Sequence, residues 1–66
     1  MISRAIKRLR NNAGLTQVEL AERIGISQGS LSSYENGKDI PSVNTLIRMA
    51  DVFKCTLDEL VERRVS

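Results

Sequence analysis

Apolar residues recur along this chain at spacings of three and four, the period of a helix with one buried side. No run alternates in twos between turn signals, as a half-buried strand would. Ile2, Ile6, Leu9 and Ala13 form the first stripe and predict a helix from about Ile2 to Asn12, ended by Gly14. A second helix is expected over about Gln17 to Ile24, burying Val18, Leu20 or Ala21, and Ile24. A third spans about Gln28 to Glu35. The stretch Gly37-Lys38-Asp39-Ile40-Pro41 carries a glycine and a proline and reads as a loop. Ser42 then caps a fourth helix that runs to about Phe53, with Val43, Leu46, Ile47, Ala50 and Phe53 on its apolar side. Thr56, with Glu59 three positions on, opens a fifth, whose apolar face is Leu57, Leu60 and Val61 and whose end carries Arg63 and Arg64. The pattern predicts an all-α fold of five short helices.

The punctuation between the second and third helices is tight. Thr16 and Glu19 have the spacing of a capping box, in which the threonine oxygen accepts from the Glu19 amide and the Glu19 side chain reaches back. Leu15 and Leu20 flank that cap as a hydrophobic staple. Gly25 can take the left-handed conformation that ends a helix. Ser27 caps the next one, with Ile26 and Leu31 as a second staple, and Asn36-Gly37 closes it.

At about 100° per residue, Gln28, Gly29, Ser32, Ser33 and Asn36 share one side of the third helix, opposite Leu31 and Tyr34. That side holds no carboxylate and no apolar group. It presents small or amide side chains that both give and accept hydrogen bonds. A face meant only for water would more often carry Lys and Glu. This one suits a groove with polar edges.

The segment Thr16 to Gly37 resembles the helix-turn-helix of the phage Cro/repressor-type regulators, also called the Xre family. The residues that carry the resemblance are Gln17, Ala21, Gly25, Leu31 and the closing Tyr34-Glu35-Asn36-Gly37. Their physical roles agree with the pattern: Ala21 is small where two helices cross, Gly25 turns sharply, and Leu31 and Tyr34 lock the third helix to the core. The resemblance covers roughly the whole chain. It implies a lambda-repressor-like domain over residues 1–66, with the helix-turn-helix at helices two and three and the third helix in a DNA major groove.

Composition narrows the alternatives. A chain of 66 residues makes one small domain. Only Tyr34 and Phe53 are aromatic, so aliphatic side chains must supply most of the core. There is no histidine and a single cysteine, Cys55, which leaves no disulfide framework, no cysteine–histidine metal site and no expected cofactor. Cys55 reads as a staple partner of Leu60, with a redox role as the alternative. Asp51, Asp58, Glu59 and Glu62 stand on exposed helical positions without a base or ligand beside them, so they read as solvated rather than catalytic. An enzyme acting on a small-molecule substrate is not expected. No signal peptide and no membrane-length apolar run is visible, and a reducing cytoplasm is the expected compartment.

The net charge of +2 is unevenly spread. Arg4, Lys7, Arg8 and Arg10 all precede the first acid, Glu19. A basic end on an otherwise near-neutral body fits phosphate attraction, and a solvated helix face is the plainer alternative.

Gln28, at the start of the third helix, is the first candidate for base contact, because an amide can pair in two-pronged fashion with adenine N6 and N7. Gly29, Ser32 and Ser33 share its stripe. Serine discriminates weakly, and Gly29, where many relatives carry a side chain, would let the backbone come close to DNA. The resemblance implies phosphate contacts by Gln17, Asn36 and Lys38. Arg10 is a further phosphate candidate, and the family also carries an arginine on helix one bridged to a glutamate at the end of helix three, here Arg10 and Glu35. The expected function is sequence-specific binding of a double-stranded DNA operator by a homodimer, hence transcriptional regulation, as a repressor. Helix five, the tail from Val61 with Val65, and the loop before helix four are the candidate dimer surfaces. The alternative is a protein-interaction module, such as an antitoxin or modulator, on the same fold.

Overall fold

The computed structural model describes residues 2–55. Within them the chain forms four helices, α1 (Ile2–Asn12), α2 (Gln17–Ile24), α3 (Gln28–Glu35) and α4 (Val43–Phe53). These are the boundaries the pattern predicts. The expected fifth helix, from Thr56 on, with Val61 and Val65, lies outside the described residues.

The caps do what their chemistry allows. The Glu19 amide donates to Thr16 Oγ1 at 3.1 Å, and the Thr16 amide donates to Glu19 Oε1 at 3.0 Å, completing the capping box. The bond from the Thr16 amide favours the ionised carboxyl and, with the Thr16 hydroxyl, holds Glu19 below the usual carboxylate range against a smaller opposing effect of desolvation. Ser27 accepts from the Ser30 amide and Ser42 from the Thr45 amide. Gly25 ends α2 at φ 74°, a conformation that costs an L-residue with a side chain roughly 1–2 kcal/mol. Its amide and that of Ile26 both return to the Ala21 carbonyl. Arg48 Nη1 of α4 donates to the carbonyl of Ile24 at 3.2 Å, satisfying one acceptor at the open end of α2.

The core is small. Ile6, Leu20, Ile24, Leu31 and Met49 are fully buried, with Ala21 at the α2 crossing. α1 packs on α3, and α2 packs on both α3 and α4. Truncating one such side chain costs about 2–5 kcal/mol, against a total stability of roughly 5–15 kcal/mol for an ordinary domain.

Several apolar positions are not where the pattern puts them. Ala13 and Val18 face solvent, while Ser3 and Ala5 are buried. On α4, Val43 and Ile47 are exposed and Met49 is buried instead. Leu46, Val52 and Phe53 are partly buried against the core, so the inward side of α4 is centred on Met49 rather than on the Val43–Ile47 edge.

Candidate nucleic-acid interface

Two helices and one turn position the outward side of α3. Leu31 and Tyr34 pack into the core, and Gly25 sets the angle between α2 and α3. Gln28, Gly29 and Asn36 are exposed, while Ser32 and Ser33 are half-buried along the same stripe. Glu35 is the only acid of α3, and it is buried. The exposed stripe therefore carries no carboxylate.

Glu35 is the hub of a side-chain chain that crosses three helices. Arg10 of α1 donates to it twice, Nε to Oε2 at 2.7 Å and Nη2 to Oε1 at 3.0 Å, the two-pronged geometry that suits a guanidinium and a carboxylate. Arg10 Nη1 also donates to the Leu15 carbonyl at 2.8 Å. The Glu35 hydrogen bonds raise the Arg10 pKa above its already high value, against the opposing effect of burial. Gln17 Nε2 of α2 donates to Glu35 Oε1 at 3.2 Å, and its Oε1 accepts from Gln28 Nε2 at 3.5 Å. The side chain that opens α3 is thus braced, through Gln17, on a buried ion pair.

The sequence offers Arg10 two roles, a bridge to Glu35 and a phosphate contact. The bridge forms. With a side chain only 11% exposed and three of its nitrogens engaged, Arg10 is turned toward Glu35 and the Leu15 carbonyl, which gives it a positioning role. Gln17 is half-buried and its side chain also serves the network. Its backbone amide, at the first position of α2, has no intrahelical acceptor and remains able to meet an anion. Asn36 Nδ2 donates to Ser32 Oγ at 3.3 Å, which ties two stripe residues together. Lys38 stands exposed just past α3, its amide bonded to the Ser33 carbonyl. Sequence reasoning missed the Gln28–Gln17–Glu35 connection. Its only signal was the placement of two glutamines at the first positions of successive helices.

A side chain placed on Gly29 would meet nothing closer than Ser27 Oγ at 3.9 Å, so the position has room within the domain. No group of acids and cysteines among the described residues is arranged to hold a metal ion, and no described helix is long and apolar enough to cross a membrane.

These four helices, with a tight turn between α2 and α3 and a polar outward stripe on α3, define a helix-turn-helix domain. The helix-turn-helix family model matches residues 6–60, and the chain belongs to that family, in its Xre-type branch. Over 48 residues it is 40% identical to the cryptic phage CTXphi transcriptional repressor RstR of Vibrio cholerae, covering 73% of this chain and 43% of RstR. It is 40% identical over 48 residues to the antitoxin HipB of Escherichia coli, covering 73% of this chain and 51% of HipB. The chain thus spans about half the length of these curated relatives. Among solved structures it is similar to the master regulator for biofilm formation SinR in complex with DNA, at a TM-score of 0.86 and 32% identity, covering 92% of this chain and 98% of that one. The all-helical arrangement is that of phage-repressor DNA-binding domains. The family is one of DNA-binding transcriptional regulators and is not enzymatic.

Proposed function

We propose that this protein binds a double-stranded DNA operator by sequence and represses transcription in the cytoplasm, as a homodimer with α3 of each copy in the major groove. The observation that carries this reading is the exposed, carboxylate-free stripe of α3, with Gln28 at its start braced by Gln17 on the Arg10–Glu35 pair. Gln28 reads an adenine edge through its amide, worth about 1–3 kcal/mol of discrimination. Ser32 and Ser33 add weaker contacts, and Gly29 brings the helix backbone near the bases. The Gln17 amide, Asn36 and Lys38 hold phosphates and set the register.

One module buries too little surface to bind tightly, and two half-sites about 34 Å apart supply the rest. Ile40 in the loop before α4 is 82% exposed, and Val43 and Ile47 follow it on the outer side of α4, which supports a self-association surface there. The other expected dimer surfaces lie outside the described residues.

Selection of random duplex DNA by the purified protein at near-physiological salt, repeated with Gln28→Ala, tests the whole reading. The expected product is a two-fold-symmetric motif, relaxed at one position per half-site by the substitution. Binding without an enriched motif, lost as salt rises, would leave only phosphate attraction. It would favour the second reading, a protein-interaction module, which the likeness to the antitoxin HipB and the exposed Ile40, Val43 and Ile47 support.

A further inference from the structure

The outer side of α1 is a cationic surface that the proposed operator contacts do not use. Arg4, Lys7 and Arg8 are exposed and, with Asn11 and Asn12, line one shallow open concavity. None of these three cations has an ion-pair partner among the described residues. Elsewhere, apart from the Arg10–Glu35 pair, the described acids Glu19, Glu22, Asp39 and Asp51 match Arg23, Lys38, Arg48 and Lys54 in number. The excess charge of the described body therefore sits on this one face.

The patch is also joined to the end of α3. Ser3 Oγ lies 3.8 Å from the point where a side chain on Gly37 would begin, and Arg10 holds Glu35. Lys7 follows Ser3 by four residues and precedes Arg10 by three, so all three share one edge of α1. That edge borders the Asn36–Lys38 corner. From there the surface continues around the helix through Asn11 and Arg4 to Arg8.

We propose that this face of α1 is a second phosphate-binding surface, which takes the DNA backbone flanking the segment read by α3. The inference rests on the DNA-binding reading and extends its footprint. Its chemistry favours a phosphate polymer over a protein. Protein interfaces pair arginine with aromatic and other apolar groups at a desolvated centre, and this face sets its arginines among only lysine and asparagine. Each lysine or arginine set on a phosphate releases a counterion and steepens the salt dependence of binding by about 0.9 in log–log slope.

The test uses two duplexes carrying the selected motif, one trimmed to its last informative base pair and one with roughly a helical turn of flanking sequence, about 10 base pairs, on each side. Affinity is measured by fluorescence anisotropy from low to moderate salt for the wild type and for Arg4→Ala/Lys7→Ala/Arg8→Ala. The wild type should bind the long duplex with the steeper slope. The triple variant should lower that slope by about two to three, remove the advantage of the long duplex and keep the same base preferences. An unchanged slope on the long duplex overturns the proposal and turns attention to an acidic protein partner. An equal loss on both duplexes overturns it too, because the cations would then act inside the motif or as bulk charge. If the wild type shows no base preference at all, the operator reading fails on its own. The patch is then tested on random duplexes of the two lengths: a steeper slope on the long one that the triple variant removes supports it, and an unchanged slope overturns it. Circular dichroism melting of the triple variant separates these outcomes from unfolding.

Discussion

The carboxylate of Glu35 receives the Arg10 guanidinium through two hydrogen bonds of 2.7 and 3.0 Å, with the Glu35 side chain only 2% exposed. The pair joins the first helix to the end of the third across a sequence separation of 25 residues. Its worth depends on which member is lost. Arg10→Met leaves a buried carboxylate with Gln17 as its main partner and should cost about 3–5 kcal/mol. Replacing both, as Arg10→Met with Glu35→Leu, should cost distinctly less than Arg10→Met alone, since no charge is then stranded. Urea unfolding of the single and double variants gives the comparison. A loss below about 1 kcal/mol for Arg10→Met, the range of exposed pairs, would contradict the buried geometry.

Gln17 should separate stability from recognition. Gln17→Ala removes one hydrogen bond from a carboxylate that still keeps Arg10, a change of about 1 kcal/mol. The same variant frees Gln28 and should relax base preference at the Gln28 position in a duplex selection. Gln17→Glu sets a second carboxylate beside Glu35 and should destabilise the fold far more than the alanine. Equal thermal midpoints for the two variants would count against the network.

Gly29 lies within a helix without positive φ and with open space around it. Gly29→Ala should therefore stabilise the domain by about 1 kcal/mol. If the backbone at this position comes close to DNA, the same methyl should weaken operator binding. A variant that is more stable and binds as well as the wild type would show that Gly29 is not a point of close approach. Differential scanning calorimetry and anisotropy provide the two readings.

The Glu19 carboxyl is held below the usual carboxylate range by the Thr16 amide and hydroxyl. Its folded pKa is thus lower than its unfolded one, so the stabilisation is fully present above the unfolded value and disappears as pH falls through the folded value. The wild type should lose its advantage over Glu19→Gln only in that acidic window. Unfolding midpoints of both proteins, compared at neutral and acidic pH, check the sign. A difference that persists at the acid end would place the effect in packing rather than in charge.

The helix ends were legible because each is fixed by a local device. Thr16, Ser27 and Ser42 cap by their own side chains, and Gly25 turns by its own backbone freedom. Burial was less legible on α4, where apolar residues at positions 43, 46, 47, 49, 50, 52 and 53 surround most of the helix. Periodicity then gives the width of the buried face but not its centre. Packing against α2 selects Met49 and rotates the face by roughly 60° from the expected one, at about 100° per residue. The same limit applies to Arg10. Its charge suggested a phosphate, but a buried carboxylate 25 residues away decides its direction. The outward stripe of α3 could be read because Leu31, Tyr34 and Glu35 fix the inward side within one short helix.

The residues that hold α3 and those that project from it scarcely overlap. Leu31, Tyr34 and Glu35 face inward, while Gly29 and Asn36 are exposed, Ser32 and Ser33 are half-buried, and Asn36 bonds to Ser32. Only Gln28, through Gln17, belongs to both groups. The positions of the stripe therefore differ in how freely they can vary. A side chain at 29 has open space around it, whereas a change at 28 also alters the Gln17 contact that leads to Glu35.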